Sequence, residues 1–388
     1  MKPAYHLPWL YNLELIKEAK RWAKAGMIPP DQWRLLLQQH AVGFYHPNLI
    51  IRIILLMATL IALGGITGFL GLGLAEVGEG ALAVLTFLYG LVSFLVLERQ
   101  FIRSSNHYKS GVTEGLLYHA IGFTVGGFAW MMDGNVPVTL LFAVLVFAFS
   151  AIRFLDLVST AGAIAALAGF VFDALSDASP VMRGFIPIAM IVVFASLYLG
   201  VTALKRKDHL WPWTDVLTVA ETLCLLLVYA AGNYMVVREL SVELMGLVLN
   251  EGEDIPLAIV FYLLTAGIPL LYLWIGIRKK DVVMLRVSLA ALAFAIFTFK
   301  YYYGFLSPEV TLTIGGALLL AATGWLLHFL RTPRQGYTRE LLLPEKWGNE
   351  QLQALVVSQT LGGNRPGADV PAEGGGGESG GGGATTSF

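Results

Sequence analysis

The sequence predicts an all-α protein, a polytopic transmembrane helix bundle of about ten spans, and three observations predict it. Of the 388 residues, 56% are hydrophobic and only 14% are charged, where a soluble domain carries roughly a quarter charged residues. Apolar runs recur at the length of about 20 residues that a helix needs to cross the hydrocarbon core of a bilayer. Basic and acidic residues alternate between successive connecting loops. The same composition excludes other classes. A net charge of −1 and a pI near 6.7 leave no concentrated basic face for nucleic acid. The single cysteine, Cys224, excludes an intrachain disulfide and a cysteine-based metal site. Set within an apolar run, it reads as a small buried side chain.

Residues 1–48 predict a cytoplasmic helical hairpin. "LELIKEAKRWAKAG" places Leu13, Ile16, Ala19 and Ala23 at helical spacing. Gly26 is placed to end that helix, and Pro29 and Pro30 interrupt it. "DQWRLLLQQHAVG" then begins a second helix, with Asp31 as its candidate cap. The first apolar run starts near Leu49, after this charged stretch, so no cleavable signal peptide is expected.

Ten spans follow within residues 49–331, at 49–72, 79–97, 112–131, 136–152, 157–173, 184–203, 214–237, 255–277, 282–303 and 309–330. The fourth and fifth are short and joined only by "RFLD", which predicts a tight hairpin. Gly64 and Gly68 in the first span, Gly122 and Gly126 in the third, and "AGAIAALAG" in the fifth have the small-residue spacing that lets helix backbones approach closely. Pro187 and Pro269 are candidates to break spans near a central site. In the outer loop "RELSVELMGLVLNEGED", Leu240, Leu244, Leu247 and Val248 predict a short amphipathic helix on the outer surface, a cap or a substrate gate. Residues 332–362 predict a cytoplasmic segment with one short helix that starts at Pro344. Residues 363–388 predict a flexible Gly-rich tail, ending in Phe388.

The loop charges orient this count. Arg99, Arg103, Lys109, Arg153, Lys205, Arg206, Lys207, Arg278, Lys279 and Lys280 all fall on the side of the N-terminal segment. The opposite loops hold only Arg183 and Arg238 as basic residues, among acids such as Glu76, Asp133, Asp177, Glu251 and Asp254. Lysine and arginine accumulate on the cytoplasmic side, so both termini are expected there. Miscounting by one span would reverse every later loop. Trp211, Trp213 and Tyr301–Tyr303 fall where aromatic side chains favour the membrane–water boundary.

"LELIKEAKRWAKAGMIPPDQWRLLLQQH" followed by many spans resembles the N-terminus of an uncharacterised bacterial family of polytopic membrane proteins, named only as a domain of unknown function. The resemblance covers the first 50 residues or so and the general layout. It implies a bacterial inner-membrane protein without an established activity, and it supplies no catalytic residue.

The seventh span carries the most informative polar pattern. Glu221 lies eight residues past Trp213, about 12 Å inward at 1.5 Å per residue. A charge at the bilayer centre costs roughly 2.5–3.5 kcal/mol on insertion scales, so Glu221 needs a partner, a cavity or a proton. Turned at about 100° per residue, Asp215, Thr218, Glu221, Thr222, Tyr229 and Asn233 share an arc of about 120°. Such a stripe faces protein or water and not lipid. The candidate intramembrane site is Glu221, Thr218, Thr222, Asn233, Arg286, Glu114 and His119, with Arg286 the preferred partner of Glu221 by depth and charge. Arg52 pairs within the bundle or snorkels to the headgroups. Asp173 and Asn233 are candidates to neighbour Lys300. A purely structural reading stands beside this one, in which the same residues form a buried ion pair and hydrogen bonds that fix helix register.

Two functions fit. One is a proton-linked secondary transporter for a small molecule or ion, with Glu221 exchanging a proton; five plus five spans suit an inverted repeat, although no repeat is visible between residues 49–173 and 184–330. The other is a non-transporting scaffold, sensor or assembly factor that meets protein partners through its cytoplasmic termini. The chain shows no zinc-protease motif, nucleophile elbow or phosphate-cradling loop, so neither an enzyme nor a cofactor or metal is expected.

Overall fold

The computed structural model describes residues 2–303 apart from 25–26, 75, 177–182 and 244–252, together with scattered positions from 313 to 328. The chain divides into two compact units, Met1–Pro308 and Glu309–Phe388. In the second unit, every described position from Thr313 to His328 is helical, within the segment expected to form the tenth span. Pro344, the Gly-rich tail and Phe388 lie outside the described residues, as do Gly26, Asp177, Leu244, Leu247, Val248 and Glu251.

The first unit is all helix, with no strand among the described residues. Its helices are α1 (Leu7–Lys24), α2 (Pro30–Gln39), α3 (Leu49–Gly73), α4 (Glu79–Val96), α5 (Val112–Met131), α6 (Val136–Phe154), α7 (Leu157–Ser176), α8 (Ile186–Lys205), α9 (Thr214–Gly232), α10 (Tyr234–Glu243), α11 (Ala258–Lys279) and α12 (Val282–Tyr303). Eight helices among the described residues are long and apolar enough to cross a membrane. α5 matches them in length but is more polar, because it carries Glu114, His119 and four glycines. α4 runs on through a wider π turn, Leu97–Ser104.

Local chemistry sets the helix ends. Asn48 caps α3 by accepting from Ile51 N at 3.0 Å, and Asn135 caps α6 through Val138 N at 3.2 Å. Asp156 accepts from Ser159 N at 2.6 Å and opens α7. Leu155, in the left-handed region, makes the tight α6–α7 turn. α2 starts earlier than expected: Pro30 occupies its first turn and Asp31 lies inside that turn instead of capping it, where its charge faces the positive helix end. Pro187 also sits in a first turn, where a missing N–H costs nothing, and Pro269 lies inside a continuous α11. Neither proline breaks a span. The break falls at Asn233, whose extended backbone separates α9 from α10.

Glycines show which faces pack. A Cβ on Gly127 would strike the backbone of Phe87 on α4, and one on Gly162 would meet the Phe147 ring of α6 at 2.5 Å. Gly64, Gly68, Gly122 and Gly126 instead have no atom within 4 Å of a built Cβ, so among the described residues nothing packs on these expected small-residue faces of the first and third spans. α7 does: it lies against α6, α8 and α9.

Residues 2–48 pack onto the basic end of the bundle. Ala4 N donates to Arg153 O at 2.8 Å, and Arg153 Nη1 donates to Lys2 O at 2.6 Å. Arg153 also pairs with Glu98 at 2.5 Å, which Arg103 joins. Tyr5 meets Tyr108 edge-on at 4.8 Å, and Phe44 stacks on Tyr108 at 5.0 Å. These rings share one core with Leu97, Leu117, Phe154 and Val216. Burial holds the Tyr5 hydroxyl well above the usual tyrosine range, so it stays protonated there.

Candidate functional site

α8 and α9 run antiparallel, and their contact builds the site around Glu221. Glu221 is 1% exposed. Its Oε2 accepts from Lys205 Nζ at 2.5 Å. Lys205 is the last residue of α8, and its side chain keeps 25% exposure. A second carboxylate, Asp281, stands beside Glu221. Asp281 is fixed by capping α12, accepting from Val283 N at 2.9 Å and Met284 N at 3.0 Å. Tyr198 on α8 lies within electrostatic reach of both acids. The result is an acid–base–acid cluster at the basic ends of α8, α9 and α12. Glu221 is thus held by Lys205, while Asp281 is engaged by the backbone N–H groups that open α12.

The expected pair with Arg286 does not form. Arg286 is exposed on α12, and Lys205 takes its place because a four-carbon stem can reach back from the helix end into the interior. Thr218 and Thr222 are half-buried, and each hydroxyl bonds back within its own helix, to Thr214 O at 2.7 Å and Thr218 O at 2.8 Å. Both are satisfied locally.

Glu114 and His119 lie apart from Glu221, on α5. Glu114 pairs with Arg52 at 2.5 Å, so Arg52, though partly exposed, is held by an ion pair and does not simply snorkel. Glu114 Oε2 accepts from Gly111 N at 2.7 Å and Thr113 Oγ1 at 2.9 Å. Gly111 has φ +91 and passes so close to Arg52 O that no side chain fits. His119 Nε2 meets the Tyr89 hydroxyl at 3.1 Å.

Asn233 forms a third, fully buried group. Its Nδ2 donates to the Tyr229 hydroxyl at 3.0 Å and to Thr298 Oγ1 at 3.1 Å. Its Oδ1 accepts from Val236 N at 3.2 Å and caps α10. It neighbours Thr298 on α12 and not Lys300. Asp173 Oδ2 is buried without a hydrogen-bond partner among the described residues. The stripe along the seventh span therefore divides into two separate groups, one around Glu221 and one around Asn233.

Sequence reasoning missed Lys205, Asp281 and Thr298, and also an acidic-end cluster. There Arg238 Nη1 donates to the Tyr234 hydroxyl at 2.7 Å and lies 5.1 Å from the Tyr302 ring. Tyr234 donates to Asp254 at 2.6 Å, and Tyr302 donates to Glu239 at 2.7 Å. The usable signal was the tyrosine run Tyr301–Tyr303 opposite "NYMVVRE".

No group of three or more histidine, cysteine or acidic residues among the described residues is placed to hold a metal ion. The spans and their buried charges define an all-α integral membrane protein. No family model, curated protein or solved structure matches the chain.

Proposed function

We propose that this protein is a proton-linked secondary transporter for a small molecule or ion, in a bacterial cytoplasmic membrane. The observation that carries the reading is the buried Glu221 carboxylate, held by the partly exposed Lys205 ammonium with a second carboxylate, Asp281, beside it. Lys205 is partly exposed at the basic end, which gives a proton a route to Glu221 from that side. Proton arrival would release the ammonium from Glu221 and free α8 to shift against α9. The basic residues of the same end favour a cytoplasmic orientation, and the N-terminal resemblance favours a bacterial source. The reading assigns no catalytic residue and no cofactor.

The test is the infrared carboxyl band of the wild type minus Glu221→Gln, titrated in nanodiscs. A band that titrates between about pH 6 and 8 supports proton exchange at this site. A carboxylate that stays ionised throughout puts the second reading first, a non-transporting scaffold or assembly factor. That reading is favoured by the packing of residues 2–48 onto the basic end, which leaves Leu35 and Leu37 exposed on α2 for a protein partner.

A further inference from the structure

The first half of the bundle holds a cleft beside α3, α4 and α5. Near the basic end α3 lies close against α5: a Cβ on Gly115 would meet Thr59 at 2.9 Å. Further along, Gly122 and Gly126 of α5 and Gly64 and Gly68 of α3 have no described atom within 4 Å of a built Cβ. Beside these positions lies a cleft of about 350 Å³ lined by Leu60, Thr86, Tyr118, His119, Gly122 and Phe123. α3 buries none of its own residues, so among the described residues nothing covers the cleft on the α3 side.

One polar pair interrupts the apolar wall. His119 Nε2 hydrogen-bonds with the Tyr89 hydroxyl, and the Phe123 ring lies 4.4 Å from the imidazole. When Tyr89 donates, the imidazole proton resides on Nδ1. That nitrogen has no hydrogen bond among the described residues. His119 is seven residues into α5, about 10 Å along it, close to the middle of a 20-residue helix. Water is scarce at that depth, and an unmet donor in hydrocarbon is costly.

We infer that this cleft binds a membrane-dissolved ligand with a flat, carbonyl-bearing ring, the chemistry of a quinone head. The carbonyl accepts from His119 Nδ1. The ring lies over Gly122, where the missing side chain leaves a slot, and against Phe123. The apolar tail passes Leu60 toward lipid. A phospholipid is the poorer fit, because its ester carbonyls stay at the interface, about 15 Å from the midplane, while quinone heads partition into the hydrocarbon.

The experiment titrates the full-length protein, in phosphatidylcholine nanodiscs, with decylubiquinone by calorimetry, and subtracts the heat of empty discs. Saturable binding is expected for the wild type. Gly122→Leu should abolish it, and its fold should survive, since nothing lies within 4 Å of that Cβ; circular dichroism and melting check this. Should it fail to fold, Leu60→Trp fills the same cleft from the partly exposed α3 side, with the same expected loss. His119→Ala should weaken binding about tenfold, the equivalent of one hydrogen bond. Heat no larger than that of empty discs, or cleft-filling variants that bind as tightly as the wild type, overturns the proposal. Retention of tightly held phospholipid without quinone binding overturns it as well.

Discussion

Lys205 and Glu221 hold unequal positions in their ion pair. The carboxylate is sealed in, while the ammonium keeps 25% exposure at a helix end. Removing Glu221 leaves a lysine that can swing out to the headgroups. Removing Lys205 strands a buried charge, which is the costly way to break a pair. Lys205→Ala should therefore cost about 3 kcal/mol and Glu221→Gln about 1 kcal/mol, read as detergent melting curves; the opposite order would place the buried charge on the lysine side. His107 gives a pH prediction. Burial lowers its pKa from the ordinary 6.5, so below that value the unfolded chain binds the proton first. Stability should rise with pH through the window just under 6.5 and be lost on acidification through it. His107→Gln should flatten that dependence, as melting temperature against pH would show. Glu221 was legible in the sequence because a lone carboxylate in an apolar run demands a partner. Lys205 was not, because depth was judged from backbone position, and a lysine amine stands far from its backbone. Arg286 had the right depth, but it sits on the exposed side of α12.

Single residues also decide how whole helices meet. Gly126 and Gly127 are adjacent on α5, yet one faces open space and the other the backbone of Phe87. Gly127→Val should separate α4 from α5 and lower the melting temperature by several degrees, a cost of about 2 kcal/mol from overpacking. Gly126→Val should be nearly neutral. Small-residue spacing in the sequence marks a smooth face but does not name the helix that covers it, so Gly122–Gly126 read the same as the Gly127 face that does pack. The ends of α5 and α12 were legible to the residue, from polar flanks and hydrophobic length. The break at Asn233 was not, because the apolar run continues across it. What ends α9 is the side chain of Asn233, drawn to Tyr229 and Thr298, and Thr298 is supplied by a helix 65 residues away.

For the molecule as a whole, hydrophobic length and loop charge made the spans legible, since both act on each segment separately. The packing of residues 2–48 was not legible, because it depends on Arg153 meeting Lys2, two residues 151 apart in sequence. Orientation can be checked directly. Cys224 is the single cysteine and fully buried, so Cys224→Ala gives a clean background. In intact cells an impermeant maleimide should label Asp133→Cys and spare Lys207→Cys, both at exposed positions. The reverse pattern would invert the orientation drawn from the charges. The Arg153 contact also constrains the order of assembly. Residues 2–5 leave the ribosome long before their docking surface exists, because Arg153 and Phe154 are made some 150 residues later. During that interval Tyr5 has no burial site, and the basic end closes only after α6 has been inserted.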